Sequence, residues 1–189
     1  MRYQEGHKET TRARILDEAS RRFREEGIAA VGVANLMGGI GLTQGGFYNH
    51  FESKDDLASQ AIVLSNEGTM HKLGEARQLS DIVGWYLSPA HRDNPGRGCP
   101  AAALSAEIGR SSAEVRESFT VVLDGVLAII KGCLPKKLSA ARKRSVAMAM
   151  FASMVGTLSL ARAVSDEKMS KDLLAAGRRA VLAMVPDDV

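Results

Sequence analysis

Apolar residues recur with helical spacing along nearly all of this 189-residue chain, while the alternation of a half-buried strand is hard to find. Residues 11–26 place Ile15, Leu16, Ala19 and Phe23 on one face and arginines and glutamates on the other, with Gly27 as the stop. Short helices are expected over 33–38 and 43–50. Ser53 is an N-cap candidate for a long fourth helix, since Asp55 and Asp56 fall in its first turn, where the helix dipole favours acids. Residues 79–87 and 101–109 read as two further helices. Val115, Phe119, Val122, Val126 and Ile129 form one face of a long helix that ends at Gly132 and Pro135. Val146, Met150, Met154 and Leu158 step by four through the next, and Leu173, Leu174, Gly177, Val181 and Met184 mark the last. Residues 88–98, with Pro89, Asn94, Pro95, Gly96 and Gly98, read as the clearest loop. The pattern predicts an all-α architecture of about nine helices.

Composition narrows the function classes. Hydrophobic residues make up 45% and charged residues 25%, the balance of a soluble globular protein. A net charge of +3 permits a nucleic-acid partner without demanding one, and the first 56 residues are close to charge-balanced. MRYQEGHKETTRAR lacks the apolar segment of a secretory signal. The uncharged stretch 145–161 is short for a membrane span and carries three serines and a threonine, so it reads as a buried bundle helix. Cys99 and Cys133 match no zinc spacing and are too few for a disulfide scaffold, which suits a reducing cytoplasm. No metal, cofactor or membrane partner is expected.

Three helices near the N-terminus, with Gly39-Ile40-Gly41-Leu42 between the second and third, fit a helix-turn-helix that presents its later helix to the major groove. Gly45 and Gly46 break a local rule, because a glycine inside a helix costs roughly 1 kcal/mol relative to alanine. Their lack of side chains would let the backbone approach another molecule. Helical spacing puts Gln44 and Tyr48 on one face, an amide able to read a base edge beside a phenol able to reach a phosphate. His50 and Lys54 follow as further phosphate candidates, while Phe47 and Phe51, four apart, are assigned to the core.

The run from Gly41 to Leu57, GLTQGGFYNHFESKDDL, resembles the signature of the TetR family of transcriptional regulators: a turn glycine, a Ser or Thr, a small-residue pair, a tyrosine, then a phenylalanine followed by Ser-Lys and acids before leucine. Upstream, ILDEA at 15–19 and FREEG at 23–27 resemble the family's first helix. The resemblance implies a three-helix DNA-binding head over residues 1–56 and a helical ligand-binding and dimerisation domain over 57–189. It implies that Thr43 caps the recognition helix and touches phosphate, that Gln44 and Gly45 face bases, and that Tyr48, His50 and Lys54 grip phosphates of an operator duplex. The chain departs from the pattern at Val31-Gly32-Val33, where relatives carry a Ser or Thr, so a hydroxyl contact at the start of the second helix is missing. Gly38-Gly39 should loosen that helix slightly.

A short recognition helix reads few base pairs, so specificity needs two copies on a two-fold site. The small residues Ala147, Ala149, Ala152, Gly156 and Ser159 keep the helix over 140–164 slim, for a partner subunit or for packing within one subunit. The family's dimer forms through its last two helices, here 140–164 and 166–185. The family also places a small-molecule effector pocket between head and dimer seam, for which Met70, Trp85, Tyr86, Phe119, Met148, Phe151 and Met154 are lining candidates or plain core. Gly98-Cys99-Pro100 puts a cysteine at a helix start, where a thiol pKa is lowered. It resembles a TetR subgroup in which some members sense electrophiles or oxidants, so Cys99 is a candidate sensor or a buried cap. The expectation is a repressor, not an enzyme. Two other readings are a thiol enzyme using Cys99, for which no histidine is placed as a base, and a helical adaptor without DNA binding.

Overall fold

The computed structural model describes residues 2–185, with side chains from residue 6 onward, and no strand occurs among them. Nine α-helices follow in order: α1 (Arg2–Glu26), α2 (Val33–Gly39), α3 (Lys54–Gly74), α4 (Leu79–Tyr86), α5 (Pro89–Asp93), α6 (Pro100–Ile108), α7 (Ala113–Cys133), α8 (Ala140–Ala163) and α9 (Glu167–Leu182). A six-residue 3-10 turn, Gln44–Asn49, follows α2, and a three-residue one, Pro95–Arg97, precedes α6.

The start signals act as expected. Ser53 caps α3, its hydroxyl accepting the Asp56 amide at 2.9 Å, with Asp55 and Asp56 in the first turn. Pro100 stands in the first turn of α6 with Cys99 at the N-cap. Gly27 ends α1 at φ +92°, a backbone that favours glycine, and the Glu107 carboxylate fills the space a side chain there would take.

Residues 88–98 correct the loop expectation. Ser88 caps α5 by accepting the His91 amide at 3.1 Å, and Pro89 sits in its first turn. A cap followed by proline is a helix start, so the turn-forming residues here punctuate two short helical pieces.

Two apolar clusters organise the chain. The first joins Ile15, Ala19 and Phe23 of α1 with Leu36, Met37, Phe47, Phe51 and the start of α3, and takes in Leu104, Ile108, Val115 and Val122 from α6 and α7. The second holds Leu73, Tyr86, Leu87, Cys99, Val126, Ile130, Met150, Met154, Leu158, Leu174 and Val181. Phe119 packs against both. Helix α3 is the connecting rod, giving Leu57 and Ile62 to the first cluster and Leu73 to the second. The division between residues 56 and 57 therefore falls within its first turns.

By length and composition α8 could cross a membrane, with a mean hydropathy of 1.5 in its most apolar window. In the fold it is a core helix: Val146, Met150, Met154 and Leu158 are buried, and α9, α7 and α6 pack around it. Its approach to α9 is close, since a Cβ on Gly177 would lie 2.4 Å from Thr157 Cγ2.

Candidate nucleic-acid interface and effector domain

Reversal between α2 and the recognition turn Gln44–Asn49 is built on main-chain bonds. The Met37 carbonyl accepts from Ile40 N at 3.2 Å and Leu42 N at 2.9 Å. Gly41 takes φ +75°, which a side chain would strain. From α1, Arg14 donates to the Ile40 carbonyl at 3.0 Å and holds the turn from outside. Helix α2 begins at Gly32 without a side-chain cap, as the missing hydroxyl predicts.

Recognition-turn geometry differs from the expected α-helix. In a 3-10 helix residues three apart align, so Gln44 and Tyr48 lie on faces offset by about a third of a turn instead of one stripe. Thr43 occupies the N-cap position, but its hydroxyl accepts no amide; Gly46 N–H bonds the Thr43 carbonyl at 3.1 Å instead. The side-chain cap assigned to Thr43 is therefore corrected: the main chain closes this turn. Gln44, Gly45 and Tyr48 are exposed, Tyr48 at 66%, while Phe47 is fully buried. Phe47 stacks on Phe51 at 5.6 Å and meets the Tyr48 ring edge-on at 5.2 Å. Phe51 in turn lies under the Arg12 guanidinium, 4.9 Å from its centroid. Among the described residues no atom outside the local chain comes within 4 Å of a Cβ placed on Gly45, and its φ is not positive. The folded chain itself does not need glycine at that position.

His50 is half-buried, with Nδ1 enclosed and without a hydrogen-bond partner among the described residues. Burial, then Lys8 and Arg12, pushes its pKa below the ordinary value. Lys54 stands apart from this group, its ammonium donating to the Ala29 carbonyl at 3.4 Å in a hollow shared with Glu107 and Arg110. The sequence reading missed His7 and Lys8 because α1 begins well before residue 11, and it left Arg12 and Arg14 on a polar face without placing them beside the recognition turn. These residues sort the charge that looked balanced. Lys8, Arg12 and Arg14 face a single acid, Glu9, over residues 6–14, whereas farther along Arg21 pairs with Glu18 and Glu25, and Arg22 with Glu26. The net positive end of α1 is the end beside His50.

In the C-terminal half, Tyr86, Phe151 and Met154 are buried in one core, with Tyr86 edge-on to Phe151 at 5.8 Å. Trp85 is half-buried and stacks on His91 at 4.8 Å, Met70 and Phe119 are half-buried, and Met148 is exposed on the outside of α8, apart from the rest.

Cys99 is fully buried, and burial pushes its thiol pKa up. Tyr86, the Ala101 and Ala102 amides and Thr69 act in the opposite direction and do not overcome it. The expectation of a lowered pKa is thus corrected: the helix N-terminus contributes, and desolvation outweighs it. His91, which the sequence did not place, stands beside this cysteine. Its Nδ1 bonds the Tyr86 carbonyl at 2.7 Å and its Nε2 accepts the Cys99 amide at 3.0 Å, so both ring nitrogens are used by the backbone and neither can serve the thiol as a base. Arg162 closes the same region, donating to the carbonyls of His91 at 2.7 Å and Arg92 at 3.0 Å.

Comparison with known proteins agrees with this arrangement. Residues 15–61 match the model of bacterial regulatory proteins of the tetR family. The chain is 27% identical to an HTH-type transcriptional repressor of Mycobacterium tuberculosis, Rv1474c, over 72% of this chain and 91% of that protein. It is 36% identical to the HTH-type transcriptional regulator TtgR of Pseudomonas putida over 39% of this chain and 34% of that one. Among solved structures, Escherichia coli NemR in its reduced form superposes with a TM-score of 0.76 at 19% identity, covering 95% of this chain and 99% of NemR. Bacillus subtilis FadR in complex with stearoyl-CoA superposes with a TM-score of 0.67 at 16% identity, covering 94% and 99%. With the matched segment folded as a helix-turn-helix, and a repressor similar to it along most of its length, residues 15–61 belong to the tetR family of bacterial regulatory proteins and the chain is a TetR-type transcriptional regulator.

Proposed function

We propose that the chain is a cytoplasmic repressor that occupies a palindromic operator as a homodimer and leaves it when a small molecule binds the C-terminal domain. The observation that carries this reading is the solvent-facing recognition turn, where Gln44, Gly45 and Tyr48 are exposed over a buried Phe47. Gln44 and the bare backbone at Gly45 approach base edges, while Thr43, Tyr48 and His50 hold phosphates, with Lys54 at the margin.

The outer faces of α8 and α9 support the dimer. Met148, Ala149, Ala152, Gly156 and Leu160 are exposed along α8, and Met169, Ala176, Ala180 and Ala183 continue an apolar stripe beyond and along α9. Small residues allow two such helix pairs to approach closely around a two-fold axis. Repression is supported by the Mycobacterium tuberculosis relative, and a small-molecule effector by the acyl-CoA held in the FadR neighbour. The effector works by favouring a conformer in which the two recognition turns no longer sit one helical turn of DNA apart. A thiol-reactive effector would reach Cys99 only after the domain opens, since the sulfur is fully buried.

Footprinting on the region upstream of the chain's own gene tests the reading. The expected result is a two-fold symmetric protected site, half-sites one helical turn apart, bound by a dimer and released by an added small molecule. Protection by a monomer, or none, contradicts it.

A further inference from the structure

The N-terminal part of α1 and the end of the recognition turn flank an open cleft of about 490 Å³ lined by His7, Lys8, Thr11, Leu42, Asn49 and His50. Its polar groups are donors or potential cations: an exposed imidazole and ammonium from α1, an amide from Asn49, and the half-buried ring of His50. Arg12 is the other cation acting on His50, held in place over Phe51 and by a hydrogen bond to Gln60. Among the described residues no carboxylate lines the cleft. Because Nδ1 of His50 is enclosed, its Nε2 is the nitrogen an incoming group can meet.

We infer that this cleft seats a DNA backbone phosphate and that His50 takes up a proton as it does so, making duplex affinity rise as pH falls. The inference rests on the operator-binding reading and adds a regulation to it. In the free protein, burial and the fields of Lys8 and Arg12 disfavour the charged ring. A phosphate in the cleft offsets both cations and offers the imidazolium an acceptor, so the charged form gains in the complex. The bound proton comes from solvent, and binding is stronger below the pKa of the complex than above it. Lys8 contributes one phosphate contact and one released counterion.

Binding of the full chain to a mixed-sequence duplex three helical turns long, at low salt, tests this without knowledge of the operator. Wild type is expected to tighten roughly three- to tenfold between about pH 8 and about pH 6. His50→Gln should bind as wild type does at the higher pH and lose the response, whereas His71→Gln, exposed near the end of α3 and outside the cleft, should keep it. Lys8→Gln should bind more weakly at both pH values and lower the salt slope by about one. A flat wild-type profile, a response that survives in His50→Gln, or an unchanged salt slope in Lys8→Gln overturns the inference. Absence of salt-sensitive binding at either pH overturns the regulator reading along with it. Should His50→Gln melt early, NMR titration of the wild-type imidazole replaces it: its pKa rises in the duplex complex, or the inference fails.

Discussion

Phe47 and Tyr48 are neighbours in sequence with touching rings and opposite exposure, Phe47 fully buried against Phe51 and Tyr48 66% exposed. One side chain holds the recognition turn to the head, and the next is left for a partner. The two substitutions should therefore separate stability from binding. Phe47→Ala should cost about 3–5 kcal/mol of stability. Tyr48→Ala should leave the urea midpoint nearly unchanged and weaken duplex binding by roughly tenfold. Urea unfolding and fluorescence anisotropy on both variants check this.

Gly45 gives a sharper test of close approach. With open space around it and no positive φ, alanine should fit the free protein and stabilise it by a few tenths to about 1 kcal/mol. If DNA backbone or a base edge occupies that space, Gly45→Ala should nevertheless bind the operator at least tenfold more weakly, roughly 1.4 kcal/mol. Equal affinity in the variant would remove Gly45 from the interface.

Gly156 bears on the proposed dimer. It is exposed on α8, and among the described residues no heavy atom beyond the backbone of its own helix lies within 4 Å of the place a Cβ would take. Gly156→Arg should keep helix content by circular dichroism and convert the dimer to monomer in light scattering. Gly177, facing Thr157 at 2.4 Å, is the contrasting site, where Gly177→Leu should disrupt the subunit itself. A dimer unchanged by Gly156→Arg would place the seam elsewhere.

His91 predicts a pH dependence of stability. Burial, opposed by the bond to the Tyr86 carbonyl and assisted by Arg162, lowers its pKa to about 4 from an ordinary 6.5. The unfolded chain then binds the proton more readily. Stability is full above about 6.5 and falls as pH drops towards about 4, by about 3 kcal/mol at the lower end. Urea midpoints compared between wild type and His91→Asn across that window isolate this contribution, and parallel curves would contradict it.

The sequence made the amphipathic helices legible because each carries its own period, and the stop and cap residues at Gly27, Ser53 and Pro100 act locally. Residues 88–98 were misread because Pro and Gly signal turns and helix starts alike, and only the Ser88-Pro89 pair distinguishes them. The 3-10 winding of residues 44–49 leaves the same apolar pattern as an α-helix, since Phe47 and Phe51 are buried in either. His91 was invisible as a partner of Cys99 because its bonds go to main-chain atoms that only the folded chain brings near. At Cys99 a local argument from the helix end lost to burial, which depends on residues far along the chain. The cationic end of α1 is hidden within a balanced segment, because net charge over residues 1–56 does not show where in space each charge lies.

The most direct measurement is the salt dependence of binding to the chain's own upstream region, with wild type and Tyr48→Ala side by side. Wild type should bind with an affinity that falls linearly with salt on logarithmic axes, and more tightly than to an unrelated duplex, while Tyr48→Ala loses affinity with its fold intact. Binding that is absent, insensitive to salt or untouched by loss of Tyr48 would contradict the account of this surface as the one that meets DNA.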